Sequence, residues 1–380
     1  MKRWIALLLA LLLLTPFAKG EEEDWSMSDL LPEEETEEAQ AAMEVEAISA
    51  AQEAKKNARE DDGSAIITIT AAGDFTIGGD SRKRVNIFED EVKRHKGDIN
   101  FTMRNIRDIL MEDDMTIVNF EGTLTESTYV PPEKKQNQFL FSAPPSYVSI
   151  LADNSIEAVA LENNHIMDHG QDVYDETMAT LADAGIVYSN SSTIGVYEVK
   201  GVKIAMLSYL CIDRYDTLFK KVPEDIAKAK AEYPIVIVSF HWGRELDYFP
   251  TDNQIKMGRL AVDSGASLVL GHHSHRIQPI EKYNGVYICY SLGNFCFSGN
   301  GKPSDMSSFL FQIRFREKDG EVSDMGFRII PIRISSLTDR NDFTPTVLTK
   351  ATAIDGILTT LMDNGKKLDY HVPEYPLTWE

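Results

Sequence analysis

Carboxylates, amides and imidazoles recur in short clusters along this 380-residue chain, each the first strongly polar group after an apolar run. Asp74 follows AIITITAAG, Glu121 follows MTIVNF, and Asn163, Asn164 and His165 follow IEAVALE. His241 follows PIVIVSF, and His272, His273 and His275 follow ASLVLG. Six of the eight histidines fall in or beside three of these clusters, which random placement would rarely give. Carboxylate oxygen, amide oxygen and neutral imidazole nitrogen are ligands for borderline and harder divalent ions, so the types point to a metal or catalytic centre. His273 and His275 stand two apart; an extended backbone would aim both rings to one side and turn Ser274 and His272 away. Read singly, each residue has a plainer role: His241 a hydrogen-bonded structural histidine, Asp74 a turn residue, Asn164 a cap. Only together do they make a site.

The elements that must position these groups alternate along the chain. The apolar runs named above, with VKIAMLSYL and VYICYSLGN, read as buried strands. Between several of them, INFTMRNIRDILME, PSYVSILADN, DVYDETMATLADAG and DNQIKMGRLAVDSG carry helical periodicity, the last two ending in a glycine stop. Strands alternating with helices predict a layered α/β fold with much parallel pairing and flanking helices. SSFLFQIRFREKDG and MGFRIIPIRIS alternate with period two and predict late antiparallel strands. In such sheets ligands collect beyond the carboxyl ends of the strands, so five strand ends could bring the clusters together.

Residues 1–20 read as a secretory leader: Lys2 and Arg3, then an apolar Trp4–Leu14 run too short for a comfortable membrane span, then a small-residue site at Ala18–Gly20. The leader is either removed or kept as a signal anchor, and the protein is expected outside the cell or at its surface. Residues 21–63 hold sixteen acids against three bases, more than half of the formal net charge of −22, and read as a solvated tether. Residues 64–340 form the domain, with 341–380 as an extension packed on it. The acidic balance excludes a general nucleic-acid binder. Cys211, Cys289 and Cys296 make no disulfide framework; Cys289 and Cys296 either pair after export or, with Cys211, fill apolar space.

Gly73–Asp74, Asn119–Gly122 (NFEG), Glu162–Gly170 (ENNHIMDHG), His241–Glu245 (HWGRE), Gly271–His275 (GHHSH) and Tyr290–Phe295 (YSLGNF) together resemble the CapA-type capsule-synthesis family, over roughly residues 65 to 335. That family is associated with poly-γ-glutamate synthesis and export and is similar to calcineurin-like metallophosphatases. The resemblance implies a metallophosphatase-like sheet core and one or two divalent ions (manganese, zinc or iron) held by Asp74, Glu121, Asn164, His241, His273 and His275. It implies His165 as an acid or transition-state stabiliser. Two departures stand out: Thr76 replaces the histidine expected two positions after Asp74, and Asn119-Phe120-Glu121-Gly122 replaces an aspartate motif.

Nearby residues carry paired expectations. Asp168 either orients His165 or caps the following helix. Glu245 either supports the site or makes a surface salt bridge, and Trp242 either lines a groove or packs half-buried. Arg244 and Arg276 are candidates to hold substrate carboxylates or phosphates, and Asn294 to position a ligand. The expected function is a metal-dependent hydrolase- or transferase-like role in making or exporting an anionic polymer such as poly-γ-glutamate, beside membrane-bound capsule synthesis or export proteins. The alternative is a non-catalytic polymer-binding assembly or export factor on the same fold.

Overall fold

The computed structural model describes residues 56–80, 82–132 and 138–379. The leader and most of the acidic tether lie outside them. Residues Arg59–Glu380 form one compact unit, so the last residues of the tether and the whole C-terminal extension belong to it. Asp62 pairs with Arg316 and Lys318 (2.8 and 3.0 Å), and Arg59 with Glu317 (3.2 Å). No helix among the described residues is long and apolar enough to cross a membrane. All three cysteines are buried, unpaired thiols.

The chain runs β1 (Ala65–Thr76), β2 (Gly79–Asp80), α1 (Ile87–Arg94), α2 (Arg107–Glu112), β3 (Met115–Phe120), β4 (Thr123–Leu124) and β5 (Phe141–Ala143). It continues through α3 (Ser149–Ala152), β6 (Ala158–Ala160), α4 (Gln171–Asp183), β7 (Val187–Ser189), β8 (Gly195–Val199), β9 (Val202–Cys211) and α5 (Tyr215–Glu232). Next come β10 (Ile235–Trp242), α6 (Asp252–Asp263), β11 (Leu268–His272), β12 (Ile277–Tyr283), β13 (Val286–Leu292) and β14 (Asn294–Phe297). β15 (Ser307–Lys318), β16 (Glu321–Arg333), β17 (Thr346–Val347) and α7 (Ala351–Gly365) complete it. Two predicted helices are shorter than their patterns: 3-10 turns at Ile99–Thr102 and Pro145–Val148 take the first part of each, leaving short α2 and α3.

One large sheet orders β17-β16-β15-β1-β3-β6-β7, with β14 also on β1; the other orders β12-β13-β11-β10-β9-β8. Strand alternation shows how they stack. Ile67, Ile69 and Ala71 of β1, Ile117 of β3, Ile235 and Ile237 of β10, and Leu268 and Leu270 of β11 share one core between the sheets. The opposite residues of β10, Val236, Val238, Phe240 and Trp242, share a second core with Ile226 of α5 and Met257 of α6. Phe75, Val118 and Val159 share a third with Phe88 of α1, Leu110 of α2 and Leu181 of α4. The result is two facing sheets covered by helices on both outer sides, the layered α/β arrangement expected. Burial of both faces explains why β3, β10 and β11 read as unbroken apolar runs. The expected late antiparallel pair is β15–β16.

Candidate metal centre

The polar groups cap the inter-sheet core at the carboxyl ends of β1, β3, β10 and β11. β1 needs an irregularity to take part. Ala71 pairs with Ile117 and Asp74 with Asn119, three steps on β1 against two on β3. The extra residue turns Asp74 onto the inner face, where simple alternation would have sent it outward. Gly73 permits this because β14 begins beside it: Asp74 N donates to Gly293 O (2.9 Å), and a Cβ on Gly73 would lie 1.9 Å from that oxygen. On the facing sheet, His241 and His272 continue the inner-face rows of β10 and β11 and stand in register with each other.

The sheets touch through these side chains. Asn119 Nδ2 donates to Asp74 Oδ1 (2.8 Å) and lies 3.2 Å from His241 Nδ1, while His272 Nδ1 lies 3.6 Å from Asp74 Oδ1. His272 is therefore part of the cluster and does not turn away, because it extends the inward row of Leu268 and Leu270. The extended geometry expected for His273 and His275 is also corrected. β11 ends at His272, and both following histidines adopt left-handed backbone, φ 85° and 52°. For non-glycine residues such strain is of order 1–3 kcal/mol and concentrates at functional sites. Ser274 braces the turn, its hydroxyl donating to Arg276 O (2.7 Å). The turn sets the His273 ring 4.6 Å from that of His241 and His275 Nδ1 3.1 Å from Asp74 Oδ2. His275 Nδ1 also meets Asn294 Oδ1 at 2.8 Å, so Asn294 positions this imidazole.

Glu121 sits at the middle, fully buried just beyond β3. Its Oε1 lies 3.7 Å from His165 Nε2, 3.8 Å from His241 Nε2 and 3.9 Å from His275 Nε2. These distances are too long for hydrogen bonds. His165 arrives on the loop after β6, which Asn163 ties down by donating to Phe120 O (2.7 Å) and accepting from His165 N (3.0 Å). Asp168 Oδ2 meets His165 Nδ1 at 2.7 Å and accepts from Phe141 N (3.2 Å). The N-cap of α4 is Gly170, so of its two expected roles Asp168 takes the orienting one.

Electrostatics follow from burial and crowding. Burial pushes the Glu121 carboxyl up, His275 opposes and Asp74 adds, for a value of about 7. Burial also pushes Asp74 up, but hydrogen bonding and charge from His275, with help from His272 and Asn119, hold it below the usual range. Burial pulls His275 down, yet Glu121 and Asp74 beside it, with Asn294, raise it to about 10. Burial lowers His272 and His273 to about 4 and takes His241 well below its ordinary value, so these three rings are neutral. For His165 the burial effect is outweighed by Asp168 and Glu121, and its value is raised.

Whether this cluster suits a cation can be judged from unsatisfied atoms. Buried polar groups are nearly always hydrogen-bonded. Here both Glu121 oxygens, His241 Nε2, both His272 nitrogens and His273 Nδ1 are buried without a hydrogen-bond partner, and so is Asn164 Oδ1, on the residue next to His165. Ligand atoms of Asp74, Glu121 and His275 lie within 4.8 Å of one another. Carboxylate, amide and imidazole donors left unpaired at this density fit a divalent ion.

Other expected residues lie differently. Arg276 is buried, its guanidinium donating to His275 O and Ser304 Oγ (both 2.8 Å), so it props the turn and is not presented to a substrate. Trp242 is wholly buried, donating to Tyr290 O (2.9 Å), and packs and lines no groove. Arg244 and Glu245 are exposed on the loop after β10. Thr76 leaves its hydroxyl buried and unpartnered where an imidazole was expected. Sequence reasoning missed Asn119, whose inward position follows from Ile117, and the aromatic flank of Phe141 and Phe297, packed 4.7 Å from His165 and His275 respectively.

The family model for the bacterial capsule synthesis protein PGA_cap matches residues 68–299, a span that holds every residue of this cluster. The chain belongs to this family. It is 30% identical to the PGA biosynthesis protein CapA of Bacillus subtilis over 294 residues, covering 72% of this chain and 73% of that one. It is 25% identical to the capsule biosynthesis protein CapA of Bacillus anthracis over 293 residues, covering 70% and 67%. Among solved structures it is similar to the calcineurin-like phosphoesterase YfkN from Bacillus subtilis, with 15% identity and a TM-score of 0.42 over 79% of this chain and 98% of that one.

Proposed function

We propose that this capsule-synthesis family member is a metal-dependent hydrolase or transferase that acts outside the cell or at its surface on an anionic polymer such as poly-γ-glutamate, beside membrane-bound synthesis or export proteins. The observation that carries the metal-dependent part is the set of buried, unpartnered ligand atoms around Glu121. Asp74, Glu121 and His275 would hold one ion, and Asn164, His241 and His273 are the donors for a second. A bound ion supplies positive charge that polarises an ester or amide oxygen of the substrate. The protein's own part is proton handling and exclusion of water. Asp168 keeps His165 Nδ1 engaged at 2.7 Å, so Nε2 faces Glu121 and the centre. With its pKa raised, His165 retains its proton nearer to neutral pH and can give it to a leaving oxygen or nitrogen. Phe141 and Phe297 cover the two imidazoles with apolar surface.

Thr76 supports a second reading, a polymer-binding assembly factor, because one ion position lacks an imidazole. The test is turnover of phosphoesters and γ-glutamyl peptides by the manganese-, zinc- or iron-loaded full chain, against His165→Gln. Turnover that falls by a factor of about 10²–10⁴ in the variant is expected. Retention of polymer with no turnover of either substrate class would replace the enzyme with the binding factor.

A further inference from the structure

Arg82-Lys83-Arg84 is the one run of three consecutive lysines or arginines in a chain of formal charge −22. It follows β2, and the fold ties it to the metal centre. Arg82 is clamped on Asp80, Nε to Oδ1 at 3.0 Å and Nη2 to Oδ2 at 2.8 Å, and also donates to Gln138 O. Asp80 in turn accepts from Leu140 N. This clamp fixes the basic run against the segment that carries Phe139 and leads into β5, where Phe141 stands. Lys83 Nζ stands 4.0 Å above the Phe139 ring, which is 44% exposed. Phe139 stacks on Phe141 (5.7 Å between centroids), and Phe141 meets the His165 ring edge-on at 4.7 Å. An aromatic row thus leads from a solvent-facing ammonium to the imidazole at the centre. Lys83 and Arg84 are exposed and have no carboxylate partner among the described residues.

We propose that Lys83 and Arg84, with Phe139 as an apolar floor, form a subsite that recognises a carboxylate-bearing segment of the substrate and leads it to His165. This rests on the reading of the centre as a polymer-processing site and names the residues that select an acidic chain. An ammonium and a guanidinium bind carboxylates, and the methylenes between successive carboxylates lie against the exposed ring. Among the described residues Lys83 has no ion pair to lose when it binds.

The test is calorimetric binding of a short synthetic γ-linked glutamate oligomer, and of its neutral amide counterpart, to the full chain carrying His165→Gln to prevent turnover. In that background Lys83→Glu/Arg84→Glu should weaken the acidic oligomer by about tenfold or more and flatten its salt dependence. Lys83→Arg should retain affinity, and the neutral oligomer should bind weakly throughout. Metal content of each protein is measured in parallel. Equal affinity of parent and charge-reversed variant, or no binding of the acidic oligomer to a metal-loaded parent, overturns the subsite while the centre stands. A parent that binds the oligomer with this charge dependence but holds no metal supports the subsite and sinks the metal-dependent reading.

Discussion

Asp74 and His272 meet across the two sheets, imidazole Nδ1 3.6 Å from carboxylate Oδ1, with both side chains fully buried. Asn119 and His241 make the parallel contact one strand over. These two cross-sheet pairs form a polar floor on top of the apolar core, and Glu121, His165, His273 and His275 stand above it. His272 stands beside Oδ1 of Asp74 without bonding to it, and Oδ2 faces His275. Replacing His272 by Phe keeps a ring and removes the nitrogen; metal affinity should fall roughly 10–100-fold, the usual effect of losing a group that orients a ligand. His272→Asn, whose amide can stand near the Nδ1 position, should lose less. Equal affinity in wild type and His272→Phe, by competitive chelator titration, would refute this role.

The bulge that aims Asp74 depends on the close approach of Gly73 to Gly293. Gly73→Ala sets a methyl against backbone oxygen, which cannot rotate away. A destabilisation of about 1–3 kcal/mol or more is expected, read from the urea midpoint. An unchanged midpoint would mean that β1 does not need the glycine.

Asp168→Asn leaves a hydrogen-bonding group of nearly the same shape beside His165 but removes its charge. Activity should drop about 10²–10⁴-fold with metal content unchanged. Asp168 helps to raise the His165 pKa, so the variant's imidazole should titrate lower, and the limb of the rate profile that needs protonated His165 should move to lower pH. A profile that keeps its position would show that Asp168 does not act through His165.

Asp342 gives a pH effect on stability. Burial pushes its carboxyl up, but hydrogen bonds from Ser336 and Ser335 and from backbone N–H groups of Ser336 and Thr344 outweigh it and hold it low. A carboxylate depressed in the folded state stabilises the fold above its unfolded pKa, and that stabilisation is lost as pH falls through the folded value. Asp342→Asn should therefore be less stable than wild type at neutral pH, with the gap closing in acid. Thermal midpoints across that range check it; a gap that is constant with pH would contradict the linkage.

Much of this was legible in the sequence. Strands buried on both faces announced themselves as apolar runs, and the polar residues at their ends marked Asp74, Glu121, His165, His241 and the histidine triplet. Less legible was anything that depends on irregular backbone. The inward aim of Asp74 comes from a bulge set by β14, more than two hundred residues later in sequence. His273 and His275 reach the centre through left-handed turns, which no side-chain spacing encodes. His272 was readable, since it continues the alternation of Leu268 and Leu270, but the reading hinged on where β11 stops. α5 was obscured by Pro223 within it, and α7 by the glycine and threonines that dilute its apolar face.

The central claim is that the unpartnered donors around Glu121 hold a divalent ion. The most direct measurement is metal content per chain, by elemental analysis after dialysis against manganese, zinc or iron, for wild type and for His273→Ala/His275→Ala. The account predicts one or two equivalents in the wild type and their loss in a variant whose circular dichroism is unchanged. No bound metal in the wild type after exposure to all three ions would contradict it.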